Sequence, residues 1–215
     1  MKRNLMLIML AFIVFFNGCA PIKDTTGVWV NTEKAKGKQF HKFFIIVLSG
    51  NIKARAELES TLANAVKNRG NEAIRSIDAI PPNIIDPAPP NKDSVWVKII
   101  SSGCDAVFVS SILNKEESVR YNEGGDAYSI GNTYTWQGDF FGYYTHWTQT
   151  IYNPGYFDKN KTYFVQSNLY EVQTKDIMWS VQSKVFNPTS INSFSKSYTT
   201  TLTKKLEDSK LIKKQ

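Results

Sequence analysis

Residues 106–113 read AVFVSSIL, and this run predicts the central strand of a β-sheet. Its first four residues are all apolar, as is typical of a strand that is buried on both faces. Gly103, Cys104 and Asp105 come directly before it, and a glycine in such a connection is typical of a helix end. A helix should therefore precede the central strand.

Upstream of this helix, strand and helix patterns alternate. Residues 40–48 (FHKFFIIVL) are apolar, β-branched and aromatic, which predicts a buried strand. Residues 52–68 carry apolar side chains at helical spacing, and residues 72–77 predict a short second strand. Five prolines within residues 81–90 exclude both a helix and a central strand there.

The helix before the central strand is expected to begin near Asp93 or Ser94. Either side chain could cap the helix by accepting hydrogen bonds from its first backbone N–H groups. We expect Trp96 and Ile100 to share the inner face of this helix, so both should belong to the core.

Downstream, residues 162–172 and 177–186 flank a four-residue turn and predict an antiparallel hairpin. Ser190 should cap the last helix, whose inner face carries Tyr198 and Leu202. Together these elements predict an α/β (α+β) fold, with a mixed β-sheet flanked by about three helices.

Residues 119–157 differ from the rest of the chain, because they hold twelve aromatic residues and six glycines with few charges. One interpretation is a Gly-rich aromatic β-hairpin inserted into the sheet, with rings that pack across strands. A second is a surface for a protein partner or for self-association, since Tyr and Trp dominate binding hot spots. A third is glycan stacking or contact with the bilayer interface. The candidate interaction surface, which we expect to be exposed, comprises Tyr134, Trp136, Phe140, Phe141, Tyr143, Tyr144 and Trp147.

The N-terminus carries an export signal. A basic start is followed by twelve apolar residues, Leu5–Phe16, which are too few to span a bilayer and match the core of a signal peptide. Asn17-Gly18-Cys19 then resembles the lipobox of bacterial lipoproteins. That resemblance implies cleavage before Cys19, lipidation of Cys19 and, because alanine follows the cysteine, transfer to the outer membrane.

The predicted organisation is a signal peptide (1–18), a lipidated N-terminus and tether (19–37) and a single α/β domain (38–215). The tether is predicted because its residues are polar apart from a short run at 28–30. The membrane is therefore the first expected partner, through the lipid anchor at Cys19.

The mature chain is basic. Loss of Lys2 and Arg3 with the signal peptide lowers the formal charge from +7 to +5. Export argues against a nucleic-acid partner, so we interpret the basic C-terminal end as a solvated helix terminus. The lysines of that end are Lys204, Lys205, Lys210, Lys213 and Lys214.

The sequence carries no recognisable catalytic constellation. Gly124-Gly125 lacks the Lys-Ser/Thr of a phosphate-binding loop, and no Gly-x-Ser-x-Gly elbow occurs. Two distant histidines and one remaining thiol do not form a metal-ligand cluster. Cys104 should be a small buried apolar side chain. We therefore expect neither an enzyme nor a cofactor.

Three segments resemble bacterial outer-membrane lipoproteins whose domain is similar to the N-terminal domain of TolB. They are the strand motif Gly103–Val109, the hairpin Ser167–Trp179 and the terminal segment Lys204–Ile212. The resemblance covers residues 38–213 and implies that fold together with protein–protein interactions in the envelope. We expect a non-enzymatic accessory or assembly factor that binds other envelope proteins at the outer membrane. The alternative is a glycan-binding module that uses the aromatic segment.

Overall fold

The computed structural model of the protein describes residues 24–81, 91–117, 139–144, 161–186 and 190–213. Six strands and five helices lie within these ranges. In chain order they are β1 (Asp24–Val30), β2 (Lys42–Leu48), α1 (Ile52–Lys67), β3 (Glu72–Arg75), α2 (Ser76–Ala79), α3 (Lys92–Ser101), β4 (Ala106–Glu117), α4 (residues 140–144), β5 (Lys161–Glu171), β6 (Ile177–Phe186) and α5 (Ile191–Asp208).

The strands form one mixed sheet in the order β1-β6-β5-β4-β2-β3. β2 runs parallel to β3 and β4, whereas all other neighbours are antiparallel. Ile45 of β2 pairs with Phe108 of β4, and Val109 of β4 pairs with Asn168 of β5. The predicted α/β fold with a mixed sheet is confirmed, and residues 106–109 are buried near its middle.

The sheet is covered on both faces because two crossovers run in opposite directions. α1 links β2 to β3, whereas α3 leads back from β3 across β2 to β4. Right-handed crossovers in opposite directions place their helices on opposite faces of a sheet. α5 packs beside α1, so the sheet has an α1/α5 face and an α3 face.

The α1/α5 face agrees with the sequence prediction. Ser190 caps α5 by accepting a hydrogen bond at 3.1 Å from the backbone N–H of Ser193. Tyr198 and Leu202 are fully buried on its inner side, and Leu62 of α1 is buried opposite them in the same cluster. The predicted cap and inner face of the last helix are both confirmed.

The start of α3 was predicted wrongly. Asn91, and not Asp93 or Ser94, caps the helix: its Oδ1 accepts hydrogen bonds from the backbone N–H groups of Asp93 at 2.8 Å and Ser94 at 3.4 Å. Asn, Asp and Ser are comparable caps, so the sequence alone does not choose among three such neighbours.

The predicted tether contains a strand of the sheet. β1 pairs antiparallel with β6 from Asp24 opposite Lys184 to Val30 opposite Trp179. Ala35, within the same predicted tether, is buried in the core. The assignment of residues 24–37 to a tether is therefore wrong. The polar composition of residues 24–30 does not exclude a strand, because an edge strand pairs on one side only and is half exposed.

The motif that precedes β4 is structural. Gly103 has a φ of +65° at the end of α3, a left-handed conformation that glycine adopts without a Cβ penalty. The Asp105 carboxylate accepts hydrogen bonds at 2.9 Å from the backbone N–H groups of His41 and Lys42. It therefore fixes the start of β2 beside the start of β4.

The strands of the sheet end along two opposite borders, which we call the carboxyl edge and the amino edge. These names refer to the ends of the strands and not to the edge strands. The carboxyl edge is where β2, β3 and β4 end, and there β1, α1, α3 and α5 begin. The amino edge is where β2, β3 and β4 begin, and it carries the β1–β2 connection and the turn between β5 and β6. The C-terminal end reaches it too, because the Leu211 carbonyl accepts a hydrogen bond at 2.9 Å from the Phe40 N–H.

Candidate interaction surface

Part of the predicted interaction surface is a helical turn packed into the core. Residues 140–144 form α4 on the α3 face of the sheet, not a β-hairpin. Phe140, Tyr143 and Tyr144 are 0%, 6% and 4% exposed. The expectation that these three rings are exposed is therefore wrong. Their spacing at i, i+3 and i+4 places them on one side of a helix, and that pattern was missed among the many aromatic residues of the segment.

Ring packing holds α4 in place. Phe140 lies 4.9 Å from Trp96 of α3, 5.5 Å from Tyr144 and 6.0 Å from Tyr170 of β5, measured between ring centroids. Tilted, stacked and edge-on pairs of this kind add about 0.5–1.5 kcal/mol each beyond the area they bury. Phe140 thus joins α3, α4 and the sheet.

Phe141 is half-buried and forms the outer part of the same cluster. The Nζ of Lys175 lies 4.7 Å from its ring centroid and that of Lys92 lies 5.5 Å away. Lys175 also lies 5.4 Å from the ring of Trp96. We call Lys92, Trp96, Phe141 and Lys175 the lysine–aromatic patch. Cation–π contacts contribute about 0.5–1 kcal/mol at exposed sites, so the patch ties the β5–β6 turn to α3 and α4.

The outer side of α3 is apolar. Val97 is 65% exposed and Ile100 is 55% exposed. The expectation that Ile100 belongs to the core is therefore wrong, because the buried residue at this turn is Ile99, with 0% exposure. Residues 95–100 are apolar at five of six positions. The sequence is therefore compatible with an inner face that carries Ile99 and with one that carries Ile100.

Cys104 is a buried thiol, as predicted. It is free of disulfide bonding and 6% exposed. Burial is the main cause that raises its pKa from 9.0 to about 11, with nearby Lys42 opposing and the Asp105 and Glu72 carboxylates adding. Because the thiolate is the nucleophile, a thiol that is protonated at neutral pH fits a packing role.

Several buried hydroxyl and amide groups form hydrogen bonds with one another. Ser167 Oγ lies 2.9 Å from Tyr198 Oη and donates to Ser110 Oγ at 3.0 Å. Asn168 Nδ2 donates to Tyr170 Oη at 2.9 Å. Burial raises the pKa of Tyr198 to about 12 and that of Tyr170 higher still. These phenols stay neutral at physiological pH and act in the structure.

Glu59 is a buried carboxylate that the sequence interpretation missed. It is 0% exposed and accepts hydrogen bonds from the backbone N–H groups of Val47 at 3.1 Å and Ile77 at 2.8 Å, and from Arg55 Nε at 3.1 Å. The signal in the sequence was an acidic residue beside Leu58 with an arginine four positions earlier. Because several donors satisfy the carboxylate, it fastens α1 to the ends of β2 and β3.

The remaining predicted site residues lie outside the described residues: Cys19, Tyr134, Trp136 and Trp147. Lipidation of Cys19 and glycan stacking by these rings stay predictions. Within the described part of the chain, no helix is long and apolar enough to cross a membrane, and no group of three or more His, Cys, Asp or Glu side chains could hold a metal ion.

Comparisons with known proteins give distant structural likenesses. No protein-family model matches the chain, and no curated protein matches it. The PelC dodecamer from Paraburkholderia phytofirmans is similar at 13% identity and a TM-score of 0.41, over 82% of this chain and 90% of that chain. Lipoprotein GNA1162 from Neisseria meningitidis is similar at 10% identity and a TM-score of 0.39, over 78% of this chain and 99% of that chain. The likeness to the N-terminal domain of TolB stays a prediction.

Proposed function

We propose that this protein is a non-enzymatic lipoprotein of the outer membrane, an accessory or assembly factor that binds another envelope protein through the outer side of α3. The observation that carries the proposal is the exposure of Val97 and Ile100, at 65% and 55%. Residues three apart on a helix have Cβ atoms about 5–6 Å apart, so the two side chains form one apolar surface.

The surroundings of this surface fit a protein partner. Full burial of a Val or Ile side chain is worth about 1.5–3 kcal/mol, which a partner covering both side chains would gain. Lys92 and Trp96 of the lysine–aromatic patch stand on the same helix. Phe141 already has lysines of its own chain near its ring, which favours a protein partner over a sugar ring stacked there.

The proposed envelope location is supported by the export signal and the lipobox-like sequence ending in Cys19. The proposed non-enzymatic role is supported by two buried side chains whose pKa is raised. Burial raises the pKa of the Cys104 thiol to about 11 and that of Tyr198 to about 12, so both are protonated at the pH at which a catalytic nucleophile or base must act.

Site-specific photocrosslinking in intact cells tests the proposal. A photoreactive amino acid at position 97 or 100 should give an adduct with one identified envelope protein. The same amino acid at Thr200, an exposed position of α5 on the other face, should not give it. Val97→Ser with Ile100→Ser should abolish co-purification of that protein at unchanged cellular abundance and unchanged Tm.

Three results would overturn the proposal. Adducts that are equally strong from position 200 would mean that α3 is not the docking surface. Adducts only with a second copy of this chain would mean self-association. Saturable binding to purified peptidoglycan, lost with Trp136→Ala and Trp147→Ala and retained in the α3 double variant, would mean a glycan-binding module.

A further inference from the structure

The chain between the predicted anchor and the sheet is short. Cys19 is the residue that would carry lipid, and β1 begins at Asp24, so residues 20–23 alone lie between them. A chain spans at most about 3.6 Å per residue, so five steps from Cys19 to Asp24 reach about 18 Å at most. The start of β1 is therefore held close to the membrane surface.

β1 connects the two edges of the sheet. It begins at the carboxyl edge, where Asp24 pairs with Lys184, and ends at the amino edge, where Val30 pairs with Trp179. A strand rises about 3.3 Å per residue, so the two ends of β1 lie about 20 Å apart. The tether that remains, residues 20–23, is long enough to connect the membrane to the carboxyl edge. It is too short to let the amino edge, about 20 Å further away, face the membrane instead.

The two edges also differ in their surface. Where α1 and α3 begin, at the carboxyl edge, Ile52 is 48% exposed, and Lys53, Lys92 and Asp93 are exposed without an ion pair to any described residue. At the amino edge, three pairs of opposite charges are joined within the protein, although Lys36, Lys210 and Lys213 are exposed there as well. The pairs are Lys34 with Asp176, Lys38 with Glu171, and Lys42 with Glu72.

We infer that the carboxyl edge rests on the phospholipid headgroups of the leaflet that holds Cys19, with the amino edge pointing away from the membrane. The inference rests on the lipid anchor of the proposed function. Exposed groups of both signs beside an apolar side chain suit zwitterionic headgroups, which carry both charges. The orientation should therefore depend on the tether and not on anionic lipid.

A competing arrangement would place the lysine-rich C-terminal end on anionic lipid. That end includes Lys210 and Lys213, which are exposed beside Leu211 at the amino edge. Basic side chains near an anionic surface gain about 1 kcal/mol each. The tether decides between the arrangements, because the amino edge lies about 20 Å beyond the start of β1.

Energy transfer from the lipidated protein to acceptor-labelled headgroups of zwitterionic vesicles tests the orientation. The full mature protein carries one donor dye, in a Cys104→Ala background, on Lys53→Cys at the carboxyl edge or on Lys36→Cys at the amino edge. Both positions are exposed. Ser94→Cys and Gln173→Cys form a second exposed pair that keeps every lysine. With edges about 20 Å apart, we expect at least about twofold stronger quenching at 53 and 94 than at 36 and 173.

A spacer variant is the matched control. About 20 Gly/Ser residues inserted after Lys23 add roughly 25 Å of root-mean-square reach, and this should remove the difference between the two edges while vesicle flotation stays complete. Equal or reversed quenching in the unmodified protein would overturn the orientation and leave the anchor intact. Loss of flotation in the unmodified protein would overturn the anchor itself and the orientation with it. An edge difference that appears only with anionic vesicles would mean that lipid charge, not the tether, sets the orientation.

Discussion

The two faces of the sheet are covered in different ways. The α1/α5 face is closed by helices of 16 and 18 residues whose inner sides carry aliphatic and aromatic residues at regular helical spacing. The α3 face is closed by a ten-residue helix and by the single turn of α4. Phe140, Tyr143 and Tyr144 fill the space there that a longer helix fills on the other side.

This difference determines which face of the sheet exposes apolar side chains on the outer side of its helices. A long amphipathic helix hides its apolar residues and exposes polar ones, as α5 does with Leu202 inside and Thr200 outside. The short α3 has apolar residues on both sides, with Ile99 inside and Ile100 outside. The α3 face therefore contributes to the core and also leaves an apolar surface exposed.

The largest effect is expected from Phe140. Phe140→Ala removes a fully buried ring that contacts Trp96, Tyr144 and Tyr170, and should lower the free energy of unfolding by about 3–5 kcal/mol. Denaturant unfolding measures it. Phe141→Ala is the matched control, and because Phe141 is half-buried, its cost should be clearly smaller. Equal costs for the two variants would mean that α4 does not pack as described.

Leu202→Ala tests the other face. Leu202 is fully buried between α5 and the sheet, and its truncation should cost about 2–5 kcal/mol. Because Leu202 and Phe140 lie in separate hydrophobic clusters on opposite faces of the sheet, the two costs should add to within about 0.5 kcal/mol. Denaturant unfolding of both single variants and the double variant checks this. A coupling well above that value would show that the faces do not act as independent cores.

Neighbouring isoleucines on α3 make the sharpest internal contrast. Ile99 is fully buried and Ile100 is 55% exposed, so Ile99→Ala should cost about 2–5 kcal/mol and Ile100→Ala less than about 0.5 kcal/mol. Thermal and denaturant unfolding of both variants decide between the two faces. A larger loss for Ile100→Ala would restore the inner face that the sequence suggested.

Much of the fold could be predicted from the sequence because its signals were regular. The strands at 42–48 and 106–117 are continuous apolar runs at their buried ends, and Ser190 precedes a clear helical stripe. β1 was missed because an edge strand pairs on one side only and keeps a polar composition. On α3, Trp96 is buried as predicted, whereas Ile100 was wrongly assigned to the core because apolar residues surround the helix.

The candidate site was harder to predict, and for a physical reason. Aromatic rings serve equally in cores and in binding surfaces, so composition could not assign Phe140 to one or the other. Helical spacing of Phe140, Tyr143 and Tyr144 was a signal for burial. The contacts of Lys92 and Lys175 with Phe141 join three elements distant in sequence, and no local pattern predicts such contacts.

Among the buried side chains, Cys104 on the α3 face is expected to give the smallest effect on stability. Its folded-state pKa of about 11 lies above the ordinary value of 9.0, so the thiol is protonated in the native protein at neutral pH. Its contribution to stability is therefore complete below about pH 9 and declines as the pH rises towards 11.

At pH 8, iodoacetamide should alkylate Cys104 much more slowly in the native protein than in the unfolded protein, because both burial and protonation suppress the reacting thiolate. Peptide mass spectrometry over a time course measures this rate, and Cys104→Ala, with a cost of about 1 kcal/mol, is the labelling control. Rapid alkylation of the native protein would contradict the burial of Cys104 and would reopen the α3 face as a place for thiol chemistry.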